Sequence, residues 1–78
     1  MPRLIWMMLD DGRAVVAGCL NASRVDVARA FSQPGRTVTL TSDDAVETIS
    51  AARVRRFMLL ESVRQVPPSN SIYRLMQV

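Results

Sequence analysis

Turn-forming residues interrupt this 78-residue chain at nearly regular intervals. Asp11-Gly12 is typical of a tight hairpin, because both central positions of such a turn favour positive φ. Pro34-Gly35 is typical of a type II turn, in which proline fixes the first φ and glycine accepts a positive second φ. The first four turn segments recur about every 10–11 residues, as expected for short strands in a small barrel or sandwich. These segments are residues 10–13, 21–23, 33–36 and 42–45. The pattern therefore predicts a mainly β or α+β fold.

The segments between these turns have the apolar periodicity of strands. Arg3–Leu9 is apolar on both faces, as in a strand that is covered on both sides. Thr37–Thr41 alternates, with Val38 and Leu40 on the inward face and threonines on the other. We expect about five short antiparallel strands in a small SH3-like or Sm-like barrel, with a C-terminal helix as an optional addition. This single small domain is expected to occupy residues 1–66, and residues 67–78 are expected to form a tail that adds an edge strand.

Two segments fit more than one interpretation. Ser23–Phe31 fits a strand and fits equally a short helix capped by its first residue. Asp43–Val66 fits a long helix that Pro67-Pro68 would end, since acidic residues open it and arginines follow. Its β-branched residues instead favour a strand near Val46–Ser50 and then a helix within Ala51–Val66.

The residue types present exclude most catalytic and metal chemistry. Without histidine the chain cannot build a Ser-His-Asp triad, a Cys-His pair or a His-metal site, and without lysine it has no Walker-type loop or Schiff base. The single cysteine, Cys19, has apolar neighbours and is expected to be a buried structural thiol. The acidic pairs Asp10-Asp11 and Asp43-Asp44 fall in turn segments, where aspartate serves its own backbone or caps a helix. We therefore expect no enzymatic activity, no cofactor and no metal.

Every basic side chain of this chain is an arginine, and the net charge is +3. Guanidinium groups suit phosphate or carboxylate, so the composition permits nucleic-acid binding. Arg53, Arg55 and Arg56 form the densest cluster, and Phe57 follows them directly. These are the residue types of a phosphate-binding edge beside a base-stacking ring. Three further arginines complete the candidate binding set, and they are Arg24, Arg29 and Arg36.

Apolar residues make up 49% of this short chain. A domain of this size buries a limited share of its surface, so part of the apolar surplus is expected to cover a partner protein or a second copy of the chain. Residues 3–9 are too short an apolar run for a signal peptide, and no stretch is long enough for a membrane span. We therefore expect a cytoplasmic protein with no membrane association.

The first hairpin resembles the first sequence motif of the Sm-like proteins. Leu9-Asp10-Asp11-Gly12-Arg13 followed by Gly18-Cys19-Leu20 is similar to that family's apolar strand, Asp-Gly-Arg turn and Gly-x-Leu on a bent second strand. Val38–Leu60 looks like the closing strands of such a barrel. The resemblance implies a small β-barrel that binds RNA, with Asn21–Arg24 and Ser50–Arg53 in or near the loops that face the RNA.

Residues 16–29 resemble a helix-turn-helix of the lac-repressor type. In that resemblance Ser23 caps a recognition helix, and Arg24, Asp26 and Arg29 point toward the major groove of DNA. We favour the strand interpretation, because it draws on four separate turns rather than on one short pattern.

Both resemblances lead to nucleic acid. The chain is therefore predicted to be a non-enzymatic nucleic-acid-binding regulatory module. The alternative is a small protein-interaction module, an inhibitor or adaptor of the kind that phages and plasmids encode, which the high apolar fraction supports. Assembly into a homo-oligomer is compatible with either function.

Overall fold

The computed structural model describes residues 3–19 and 23–77, which form two small β-sheets and one α-helix. Four strands make one sheet in the order β5-β1-β2-β6, and three make the other in the order β4-β3-β7. The expectation of a mainly β or α+β fold is confirmed, but the described residues form two open sheets and no closed barrel. The elements in chain order are β1 (Arg3–Leu9), β2 (Ala14–Cys19), α1 (Arg24–Ser32), β3 (Thr37–Thr41), β4 (Val46–Ser50), β5 (Val54–Leu60), β6 (Ser71–Tyr73) and β7 (Leu75–Gln77).

A tight turn joins β1 to β2, as the sequence predicted. The Gly12 N–H donates to the Leu9 carbonyl at 3.0 Å, and the Leu9 N–H donates to the Arg13 carbonyl at 2.9 Å. This pattern, with φ of +85° at Gly12, is that of a three-residue hairpin loop rather than the two-residue turn expected. Asp11 accepts a hydrogen bond from the Arg13 N–H at 2.9 Å, so its carboxylate serves its own turn.

The segment that fitted both a strand and a helix is the helix α1. Ser23 accepts a hydrogen bond from the Asp26 N–H, and the Asp26 carboxylate accepts one from the Ser23 N–H, which together form a capping box. Val27 and Ala30 are buried on one face of the helix. The strand interpretation of Ser23–Phe31 is therefore wrong, because this cap satisfies the first amides of a helix.

The first helix required by a helix-turn-helix is absent from the described residues. Residues 16–19 belong to the strand β2, which pairs with β1 along its length. The start of α1 is present, but its expected partner helix is a strand. Leu20 and Asn21, which the two resemblances also used, lie outside the described residues.

Residues 43–66 contain two strands, so the long-helix interpretation of this segment is wrong. The strand Val46–Ser50 is confirmed as β4. The predicted helix within Ala51–Val66 is also wrong, because this stretch holds the strand β5 between two single 3-10 turns, which are Ala51–Arg53 and Val63–Gln65. β5 pairs antiparallel with β1, and the register shifts by one residue at Arg55.

The C-terminal segment contributes one edge strand to each sheet. β6 runs parallel to β2, and β7 runs antiparallel to β3. The chain crosses between the sheets at Arg74, whose N–H donates to the Thr41 carbonyl at 2.8 Å. A Cβ atom on Gly18 would lie 2.5 Å from the Arg74 carbonyl oxygen, so this crossing requires glycine in β2. Val78, expected on the added strand, lies outside the described residues.

The larger hydrophobic core lies on the inner face of the four-stranded sheet, where the three-stranded sheet and α1 cover it. Val38 and Leu40 are buried there, as their alternation in β3 predicted, and the Cys19 thiol is buried as expected. No helix among the described residues is long and apolar enough to cross a membrane. The buried members of this core are Ile5, Met7, Leu9, Val15, Ala17, Cys19, Val27, Val38, Leu40, Ile49, Ala51 and Met76.

A smaller core lies on the outer face of the same sheet. Trp6, Ala14 and Val16 are buried there, and Val66, from the segment between β5 and β6, packs against them. Strand β1 is therefore covered on both faces, as its sequence predicted. The Trp6 indole Nε1 is buried and has no hydrogen-bond partner among the described residues.

Candidate binding site at the edge of strand β5

Several arginines are held by acidic or amide groups of the same chain. Arg53, expected in the basic cluster, contacts Asp10 and Asp11 of the first hairpin loop at 3.1 Å each. Arg36 donates to Gln33 of its own turn at 2.7 Å. These arginines therefore have partners within the fold.

Arg55 and Arg56 on β5, and Arg24 at the start of α1, have no such partners. All three are exposed, and no hydrogen bond or ion pair within residues 3–19 and 23–77 engages their side chains. Three exposed cations without counterions are a ready contact for an anionic partner.

A groove of about 250 Å³ runs between the first turn of α1 and β5. Arg24 lines it on the helix side, and the consecutive residues 57–60 line it on the strand side. The groove therefore follows the edge of β5 and combines apolar side chains with a cationic rim.

Phe57 is held in the fold by a second aromatic residue. Its ring packs edge-to-face on Phe31 of α1, with centroids 5.1 Å apart and planes at 81°. Phe57 is half-buried against the inner core. It therefore contributes an apolar wall to the groove, not the free stacking platform that the sequence suggested.

The free edge of β5 lies beside the groove. β5 is an edge strand of the four-stranded sheet, and among the described residues no strand pairs with its outer side. An exposed strand edge presents unpaired N–H and C=O groups that can pair with another chain.

The predicted binding residues therefore separate into two groups. Arg24 and Phe57 line the groove, and Arg55 and Arg56 lie on the strand that forms it. Arg53 is bound to the first hairpin loop. Arg29 lies five residues along α1 from Arg24, about 140° around the helix. The pKa of Asp26 is lowered mainly by its hydrogen bond with the Ser23 hydroxyl, and the charge of Arg29 adds a smaller effect. Arg36 is engaged within its own turn.

Three of the groove residues were not among the predicted binding residues. These follow Phe57 as an uninterrupted apolar run, which was assigned to a helix, and they are Met58, Leu59 and Leu60. The signal that could have found them is that run itself, since it is too short for a helix core but sufficient for a strand.

A polar cluster that the sequence did not predict joins the two sheets. Arg13 contacts both carboxylate oxygens of Glu47, and the Tyr73 hydroxyl donates to Glu47 and accepts from Arg13. The Arg13 hydrogen bond, and then that of Tyr73, hold the pKa of Glu47 below its ordinary value. The hydrogen bond to Glu47, together with burial, raises the pKa of Tyr73. Each of the three side chains bonds to the other two, so the cluster links the sheets, while the buried Arg13 Nε has no hydrogen-bond partner among the described residues.

No protein-family model, curated protein or solved structure matches this chain.

Proposed function

We propose that this protein is a non-enzymatic interaction module that binds an acidic segment of a partner protein in the groove between α1 and β5. The observation that carries the proposal is an apolar groove with Arg24 on its helix side and with Arg55 and Arg56 on the strand that forms its other side, and none of the three has a counterion within residues 3–19 and 23–77. Apolar walls supply contact area, while rim charges select the partner by sign and accelerate encounter.

The charge pattern supports an acidic partner. Three other arginines of the fold pair with carboxylates, and they are Arg13 with Glu47, Arg53 with Asp10 and Asp11, and Arg74 with Asp43. Arg55 and Arg56 are adjacent and exposed, and neither has a carboxylate partner in the described part of the chain. An acidic segment would supply that partner through charge-assisted hydrogen bonds.

The same geometry favours a protein over a nucleic acid. The nucleic-acid hypothesis placed phosphate on the cluster of Arg53, Arg55 and Arg56 and a stacked base on the Phe57 ring. Arg53 is bound to the first hairpin loop, and the Phe57 ring is packed on Phe31. The groove keeps its apolar walls and its strand edge, which are features of peptide recognition.

Fluorescence anisotropy tests the proposal directly. The probe is a fluorescein-labelled eight-residue peptide of alternating glutamate and valine, titrated with the protein at low and at moderate salt. We expect saturable binding that weakens as salt rises, and no binding of the matched lysine–valine peptide.

A pair of variants with equal charge change locates the site. Arg56→Glu should weaken peptide binding about tenfold or more, because it reverses an exposed charge on the strand that forms the groove. Arg74→Glu lies beyond β6, at the opposite edge of the sheet, and should leave affinity within about twofold. The proposal is wrong if the acidic peptide does not bind, if both variants lose affinity equally, or if a labelled single-stranded DNA binds in its place with loss in Arg56→Glu.

A further inference from the structure

Among residues 3–19 and 23–77, the free edge of β5 leaves a defined set of main-chain groups unpaired. The Leu9 N–H donates to the Arg13 carbonyl, so odd-numbered residues of β1 direct their main chain toward β2. The hydrogen bonds of Ala14 support this register, because its N–H and C=O both bond to Asn70, on the side away from β1. Even-numbered residues of β1 therefore direct their main chain toward β5.

The residues of β5 alternate in the same way. Leu60, Met58 and Arg56 stand opposite the even-numbered residues of β1, so their main chain faces β1. The N–H and C=O groups of Phe57 and Leu59 consequently point to the free edge. Their side chains meanwhile face the inner core, which fixes the orientation of any strand added there.

We infer that the partner segment binds as an added antiparallel β-strand whose main chain pairs with Phe57 and Leu59. This inference rests on the proposed function and specifies how the acidic segment is held. In an antiparallel ladder, the residues opposite Phe57 and Leu59 exchange both hydrogen bonds and share their face. Those partner residues are apolar and contact the groove walls.

The partner's intervening residues lie on the outer face. There they stand opposite Arg56 and Met58, so the position facing Arg56 is acidic. The segment is therefore an extended stretch in which apolar and acidic residues alternate. Its valine-type side chains face the groove, and on the outer face a carboxylate stands opposite Arg56.

The edge charges also select against a second copy of this chain. Pairing β5 with β5 would bring two copies each of Arg24, Arg55 and Arg56 to one seam. Charged residues on an edge strand oppose such self-pairing, and arginine does so while attracting an acidic strand. The charge of β5 therefore favours an acidic segment as the occupant of this edge.

N-methylation of the peptide tests strand addition, because it removes one N–H and leaves the side chain in place. In the alternating glutamate–valine peptide, N-methylation of the two central valines should weaken binding about tenfold or more, since each loses a ladder hydrogen bond. N-methylation of the two central glutamates should leave affinity within about twofold, because their N–H groups point away from β5.

The outcomes separate this inference from the proposed function. If both methylated peptides bind as tightly as the parent, strand addition is wrong and the acidic partner stands. If the glutamate-methylated peptide alone loses affinity, antiparallel pairing in this register is wrong. If the parent peptide does not bind, both proposals are wrong.

A protein variant supplies the matching measurement. Leu59→Pro removes the N–H that faces the free edge. An edge strand tolerates proline at such a position, because no neighbouring strand accepts from that N–H. Leu59→Ala is the control for lost side-chain packing, and Trp6 emission reports that each variant is folded. We expect Leu59→Pro to lose peptide affinity beyond Leu59→Ala, whereas equal losses would overturn the inference.

Discussion

Nη1 and Nη2 of Arg13 contact the two carboxylate oxygens of Glu47, at 3.2 and 2.8 Å, although 34 positions separate the residues. Arg13 precedes β2 in one sheet, and Glu47 lies on β4 in the other. The side chains are 29% and 32% exposed, so water reaches the pair but does not surround it. The Tyr73 hydroxyl of β6 joins the same carboxylate. This cluster is a polar connection between the sheets at their shared end.

Glu47→Gln should lower the free energy of unfolding by about 1–2 kcal/mol. The substitution keeps the shape of the side chain but removes the charge that holds Arg13 and accepts from Tyr73. Urea denaturation followed by circular dichroism measures the change. Tyr73→Phe, which removes one hydroxyl, should cost about 1 kcal/mol, and the double variant should cost less than the sum. A strictly additive double variant would show that the three groups act independently.

The same cluster predicts how stability depends on pH. Because hydrogen bonds from Arg13 and Tyr73 lower the pKa of folded Glu47, its contribution is fully present above the ordinary value of 4.5 and is lost as pH falls through the folded pKa. The raised pKa of Tyr73 has the opposite sign, with a contribution present below 10.0 and lost as pH rises through the folded pKa. Urea midpoints measured across both ranges should fall at each end. The acid-side fall should be shallower in Glu47→Gln, and an unchanged slope would contradict the assignment.

Val66 is predicted to keep water from the single tryptophan. Trp6 is 6% exposed, and Val66 packs against its cluster. Val66→Ala should shift Trp6 emission to longer wavelength and increase quenching by acrylamide, because water then reaches the unpartnered Nε1. A stability loss of about 1 kcal/mol should accompany this change. Val63→Ala is the matched control in the same segment, since Val63 is 76% exposed, and equal shifts in both variants would refute the prediction.

Gly18→Ala should destabilise the fold by about 1–3 kcal/mol, because the new methyl meets the main chain at Arg74 rather than a mobile side chain. Strand β7 should lose protection against amide hydrogen exchange first. Gly12→Asn is a useful comparison, because Gly12 has open space around it and asparagine tolerates positive φ. If the two variants cost the same, the close approach at Gly18 is not limiting.

Features that depend on neighbouring residues were predictable from the sequence. Gly12 and Gly35 were predicted to take positive φ in turns, and both do. The alternation of apolar and polar residues predicted the strand Thr37–Thr41. Helix α1 stayed ambiguous because its apolar spacing fits both periods, although Ser23 and Asp26 together form a helix-capping pair. A structural element was predictable where residues close in sequence determine its backbone conformation.

Strand β5 was missed for a specific physical reason. Val54, Phe57 and Leu59 all face the inner core, but the extra residue at Arg55 shifts the alternation by one. The three-residue interval breaks the period of two by which a strand is predicted from sequence. Pairing with β1, which lies far earlier in the sequence, decides the structure.

The candidate site was predictable only where its residues are contiguous. Arg55, Arg56 and Phe57 were found together because they are neighbours in the chain. The position of Arg24 beside them depends on how α1 packs, and the neutralisation of Arg53 depends on a loop more than forty positions away. Sequence alone therefore overestimates which arginines are available to a partner.

The last strands have a consequence for synthesis on the ribosome. Each sheet takes one member from residues 71–77, and β6 adds its pairing to β2 across more than fifty residues of chain. A nascent polypeptide emerging from its N-terminus exposes the open sides of β2 and β3 until those residues leave the exit tunnel. Completion of both sheets thus waits until residues 71–77 can pair, and before that point the growing chain passes through a stage in which the edges of β2 and β3 are open to chaperones or to aggregation.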